Sequence, residues 1–131
     1  MLGWPVCLVA LAAFAGAALT APALGSEPGV SAEPLVGDEE AGREYYAEDC
    51  RACHSGAIAP SLRGISQRSI ASVPDYAFSD GLKAKEGGAW TAEELDAFLA
   101  HPSAFAPGTK MMLKVEDAQK RADIVAFLLT L

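Results

Sequence analysis

The chain has 131 residues, 51% of them hydrophobic, three cysteines and a formal charge of −7. That length allows one small domain plus whatever is removed. The net acidity argues against nucleic acid as a partner, because phosphate binding needs a net basic face.

Residues 1–25, MLGWPVCLVALAAFAGAALTAPALG, carry no charged side chain. Their apolar run, 6–19, is shorter than the roughly 20 residues a spanning helix needs. Small residues follow it, with Ala23 and Gly25 placed for a cut. The pattern predicts a secretory signal peptide and export to the periplasm. Because no Lys or Arg precedes the apolar run, an uncleaved N-terminal anchor is the alternative. Cys7 lies within this segment and leaves with it. Residues 26–37 are rich in Ser, Gly and Pro and predict a linker. The folded domain is expected over 38–131. Glu27, Glu33, Asp38, Glu39, Glu40, Glu44, Glu48 and Asp49 face only Arg43 in this part of the chain, which reads as a solvated face.

Three helices are predicted. The first covers 38–50, with acids in its first turn where the helix dipole favours them. Gly42 and Tyr46 share one face of it, and a glycine inside a helix implies a close crossing. The second opens at TAEELDAFLA, with Thr91 and Glu94 as a capping box and Leu95, Phe98 and Leu99 as the apolar stripe. His101-Pro102 ends it. The third, EDAQKRADIVAFLLTL, repeats apolar residues at helical spacing through Ile124, Phe127, Leu128 and Leu131. No stretch alternates like a strand. The fold class is therefore all-α, with long loops over 55–69 and 102–113. Loops that long in a small domain need something to pack on.

Cys50-Arg51-Ala52-Cys53-His54 suggests what that is. A zinc site needs four ligands, and beyond these three side chains His101 is the only other histidine. Adjacent Cys53 and His54 also converge poorly on one ion. A thioredoxin-like dithiol needs a βαβ setting that the pattern lacks. Covalent haem uses all three residues: two thiols add to the two vinyl groups, and the following imidazole reaches the iron. It also supplies an apolar body for the loops to wrap.

With that motif the chain resembles class I c-type cytochromes, close to the mitochondrial cytochrome c and bacterial cytochrome c2 group, over nearly all of 38–131. The resemblance implies a small monohaem cytochrome c fold with crossed N- and C-terminal helices, Gly42 and Tyr46 meeting Ile124 and Phe127. APSLRG resembles the loop whose proline carbonyl orients the haem-ligating histidine, which makes Pro60 the partner of His54. PGTKM makes Met111 the sixth iron ligand, with Met112 as its neighbouring competitor. Ligation by His101 instead would give a bis-His iron. Trp90 and Arg68 resemble the family residues that bind a haem propionate. Phe78 and Phe98 stand where the family often has tyrosines, one bonding a propionate and one bonding the methionine sulfur.

The implied function is that of a periplasmic single-electron carrier, a protein with no enzymatic residue, holding one low-spin haem c with His54 and Met111 on the iron. Implied partners are redox proteins: a membrane oxidase, a cytochrome bc1-type complex or a periplasmic dehydrogenase. The protein itself is expected to be monomeric, touching membranes only through transient docking or an uncleaved anchor. Arg51, Lys83, Lys85, Lys110 and Lys114 are candidates for a small basic rim at the haem edge. Two alternatives remain. One is a dedicated electron-accepting subunit of a periplasmic dehydrogenase. The other is a ligand-binding or peroxidatic haem protein with a labile methionine.

Overall fold

The computed structural model describes residues 35–131; the expected signal peptide and most of the expected linker lie outside them. Helix α1 (Glu39–Tyr45) starts where Asp38 Oδ1 accepts the Ala41 amide at 3.0 Å, with Glu39 and Glu40 in its first turn. It runs on as one π-helical turn, Tyr46–Cys50, which carries the chain into the first cysteine. A short 3₁₀ turn follows at Ile65–Gln67. Then come α2 (Asp80–Lys83), α3 (Ala92–Ala100), α4 (Pro102–Phe105) and α5 (Ala118–Leu128). The all-α expectation holds. Extended pairing among the described residues is limited to one bridge, Ser69 with Ala89, and no helix there is long and apolar enough to cross a membrane.

The three expected helices form, with local differences. At α3, Thr91 Oγ1 accepts the Glu94 amide at 3.2 Å, but Glu94 does not return the bond. Its carboxylate lies 4.0 Å from Lys85 instead, so the capping box is half made. His101 does end α3, but Pro102 then opens α4, because proline suits a first helical turn as well as it stops a preceding one. Helix α2 was not legible at four residues. Gly81 lets it press on the backbone of Ala106 and Pro107, where a Cβ would overlap that backbone.

The core sits where α1 and α5 cross. A Cβ on Gly42 would overlap the carbonyl oxygen of Asp123, so the two helices touch backbone to backbone. Tyr46 packs on Phe127 at 5.3 Å between ring centroids. Ile124, with none of its surface exposed, lies beneath them. Leu95 and Leu99 of α3 complete this cluster with Ile65, Val115, Val125 and Leu128. A second, smaller cluster of Ile70, Leu82 and Ala106 is joined to it by Trp90.

Polar bonds stitch the ends. Asp123 is buried, and its Oδ1 accepts the Asp38 amide and Gln119 Nε2, each at 2.8 Å. Gln119 also donates to the Val36 carbonyl, so the last residues before the domain lie along α5. Arg121 donates to Asp96 at 2.8 Å and to the Val115 and Glu116 carbonyls, tying α5 to α3.

Candidate cofactor site

Between the two clusters lies an apolar cavity of about 360 Å³. Every residue singled out from the sequence as cofactor-binding lines it: Cys50, Cys53, His54, Pro60, Arg68, Trp90 and Met111. They come from four separate parts of the chain, and the fold brings them to one wall-to-wall space.

Cys50 ends the π turn of the first helix and is buried, while Cys53 is exposed; both thiols are free. Burial pushes the Cys50 thiol up to about 11, helped by neighbouring Asp49 and opposed by Lys120. His54 follows on the same turn, its amide donating to the Cys50 carbonyl at 2.9 Å. Its Nδ1 lies 2.8 Å from the Pro60 carbonyl oxygen. A carbonyl only accepts, so Nδ1 carries the proton and Nε2 keeps its lone pair for a metal.

Met111 is half-buried against the main cluster, whereas Met112 is 91% exposed at the cavity's rim. The loop that carries Met111 is anchored by Lys110, whose Nζ donates to the Ala77 carbonyl at 2.7 Å. Thr109 Oγ1 accepts the Met111 amide at 3.3 Å. His101 sits exposed at the α3–α4 junction and does not line the cavity.

Arg68 and Trp90 are neighbours because the Ser69–Ala89 bridge pairs the two segments antiparallel. One Arg68 Nη donates to the Ser61 carbonyl at 2.6 Å, but Nε is buried without an acceptor. A buried guanidinium N–H is costly unless something accepts from it. This is what a cavity built for a carboxylate-bearing ligand requires, and the two propionates of haem c are such groups. The free cysteine pair, the oriented imidazole, the apolar walls and the orphaned N–H all fit haem c. Among the described residues no group of three His, Cys, Asp or Glu side chains is gathered to hold a metal ion directly.

The basic rim does not assemble. Of its five candidates only Lys110 lines the cavity. Lys114 pairs with Glu116 at 2.7 Å, Lys83 with Asp80 at 3.6 Å, and Lys85 lies 4.2 Å above the Phe105 ring. Arg51 lines a separate cleft with Arg43 and Arg63. Phe98 lines the cavity and packs between Trp90 at 5.5 Å and Phe105 at 5.3 Å. Sequence reasoning overlooked Tyr76, which also lines the cavity. A tyrosine two residues before the phenylalanine that fills a family tyrosine position was the signal that could have found it.

Fold and site define the class: a small helical domain wrapped around a covalently held haem. Residues 39–131 match the Cytochrome c family, and the chain belongs to it. It is 38% identical over 102 residues to the cytochrome c-type cyt cy of Rhodobacter capsulatus, covering 74% of this chain and 51% of that protein. Cytochrome c2 of Rhodopila globiformis is 37% identical over 101 residues, covering 72% of this chain and 94% of that one. The chain therefore spans about half the length of some relatives and nearly all of others. The solved structure of cytochrome cH from Methylobacterium extorquens superposes with a TM-score of 0.63 at 38% identity, over 72% of this chain and 99% of that one. As in its family, the chain carries one haem c, attached through Cys50 and Cys53.

Proposed function

We propose that the protein is a periplasmic single-electron carrier in which His54 and Met111 are the axial ligands of a low-spin haem iron. The haem supplies the one-electron couple. His54 offers Nε2 because Pro60 holds the Nδ1 proton at 2.8 Å, and this bond carries the reading. Met111 presents a thioether from a loop held in place by Lys110, and a thioether favours the reduced state, so the potential is expected to be positive. Phe98, Leu95, Leu99 and Leu128 line the cavity and keep water from it. Arg68 and Trp90 hold the propionates. No side chain is assigned acid–base work.

In this reading residues 1–25 are the export signal, 26–37 a linker and 38–131 the haem domain. The partners are redox proteins: a membrane oxidase, a cytochrome bc1-type complex or a periplasmic dehydrogenase. One observation favours a second reading. Phe98 has no hydroxyl to offer the Met111 sulfur, which leaves the methionine free to dissociate and admit a diatomic ligand.

Optical spectra of the matured protein, oxidised and reduced, with and without carbon monoxide, separate the two. The carrier reading expects the weak near-red Met–Fe(III) band and no change with carbon monoxide. A carbon monoxide adduct forming readily in the wild type, or no such band, overturns it in favour of the open-iron reading.

A further inference from the structure

The cavity wall holds one more donor than the family resemblance assigns. Arg68 Nε is buried without an acceptor, and neither the Trp90 indole N–H nor the Tyr76 hydroxyl has a hydrogen-bond partner among the described residues. Tyr76 and Phe78 both line the cavity, joined by a tight turn in which the Phe78 amide donates to the Tyr76 carbonyl at 3.0 Å. Their rings meet edge-on at 4.8 Å and 68°. Phe78 packs into the apolar cluster of Ile70, Leu82 and Ala106, together with Trp90. Tyr76 lies outside that cluster, with Lys110 Nζ 5.2 Å from its ring centre.

The backbone fixes this arrangement from both sides. Asp75, directly before Tyr76, has a left-handed φ of 60° that turns the chain after Pro74. Ala77, between the two rings, has its carbonyl bound by Lys110 at 2.7 Å. The residue facing the apolar cluster has no use for a hydroxyl, while its neighbour two positions earlier carries one beside a cavity in which Arg68 Nε lacks an acceptor.

We propose that Tyr76 donates its phenolic hydrogen bond to a haem propionate, completing with Arg68 and Trp90 a three-donor clamp. The hydroxyl has thus moved two residues along the segment from the position that Phe78 fills. The inference rests on the propionate roles proposed for Arg68 and Trp90. The charged or titratable side chains lining the cavity are Asp49, Cys50, Cys53, His54, Arg68, Tyr76 and Lys110, the two cysteines being thioethers once haem is attached. Of these, Arg68 and Tyr76 have donors without an acceptor, while Lys110 Nζ donates to the Ala77 carbonyl.

A hydrogen bond to the ionised carboxylate favours that form, so losing it makes the propionate a weaker acid. Ionisation of a propionate lowers the haem potential by adding negative charge beside the iron. The test is a redox titration of the matured full chain between about pH 5 and pH 9, on the wild type, Tyr76→Phe and Arg68→Gln. Tyr76→Phe keeps the ring and its packing. Its potential is expected to fall with pH over a window about one unit higher than in the wild type, a roughly tenfold weaker acid. Arg68→Gln is expected to move the window the same way, with the Met–iron band kept in both. A Tyr76→Phe profile that overlays the wild type while Arg68→Gln shifts overturns the role of Tyr76 alone. Two silent variants overturn the propionate reading with it. Loss of the Met–iron band in Tyr76→Phe makes the residue a structural support and also overturns the proposal.

Discussion

Gly42 of α1 faces the Asp123 carbonyl of α5 with no room for a side-chain carbon between them. The contact sets how deeply the first helix lies across the last, and with it where the π turn delivers Cys50 to the cavity. Gly42→Ala must therefore push the helices apart at the one place they touch by backbone. The expected loss is about 3 kcal/mol, the upper range for overpacking, because neither partner is a flexible side chain. A denaturant midpoint within error of the wild type would mean that the crossing is looser than described.

Asp123 below that contact accepts from both the Asp38 amide and Gln119. Asp123→Ala strands a backbone donor at the start of α1 and is expected to cost about 2–3 kcal/mol. Asp123→Asn keeps one acceptor oxygen and should lose roughly half as much. Chemical unfolding of the three proteins checks the order, and equal losses from Ala and Asn would show that the carboxylate charge matters more than the bonds.

Met111→Ala, in the proposed His/Met reading, removes the sixth ligand. The variant is expected to lose the near-red band and to bind carbon monoxide when reduced. Met112→Ala, at a side chain 91% exposed, should do neither. A spectrum that changes with Met112 instead of Met111 would exchange their roles.

Lys110→Met cuts the bond to the Ala77 carbonyl while keeping an unbranched stem. The bond is exposed, so the global loss should stay near 1 kcal/mol. The loop carrying Met111 should open more readily, seen as faster binding of added imidazole to the oxidised protein. An unchanged imidazole rate would separate this lysine from the control of the loop.

Lys120 gives the fold a dependence on alkaline pH. Its hydrogen bond to Asp49 raises its pKa above the usual 10.5, with their attraction and the field of Tyr45 and Glu48 adding to it and burial opposing. The ion pair is 2.8 Å long and the ammonium lies 4.4 Å above the Tyr45 ring. A raised amine binds its proton more tightly in the folded state. Its stabilisation is complete below 10.5 and is lost as pH rises through the higher folded value. The pair sits at the surface, so Lys120→Met should cost only about 0.5 kcal/mol at neutral pH. The gap between variant and wild type should close above 10.5. A gap that persists there would assign the loss to packing on Tyr45.

Much of this protein was legible before its structure. Covalent attachment demands two thiols within one turn of chain, so Cys50 and Cys53 are readable by spacing alone. A glycine within a helical pattern signals a close crossing, and Gly42 meets one. Helical periodicity found the long elements because each buries one continuous stripe. The four-residue helices escaped, since α2 forms only where Gly81 meets Pro107, and α4 only because a proline that stops one helix starts another.

The sequence by itself determined the all-α class, the covalent haem and the crossing of the terminal helices, because each rests on residues close together in the chain or on a repeating pattern. Tertiary structure alone decided the rest. It turned Met111 inward and left Met112 outside, dispersed the lysines that were candidates for a rim, and left Arg68 Nε without a partner. It also placed Tyr76 beside the cavity and Phe78 in the apolar cluster. Those outcomes depend on which long loops lie against one another, and packing across a cavity leaves no periodic trace in any one segment.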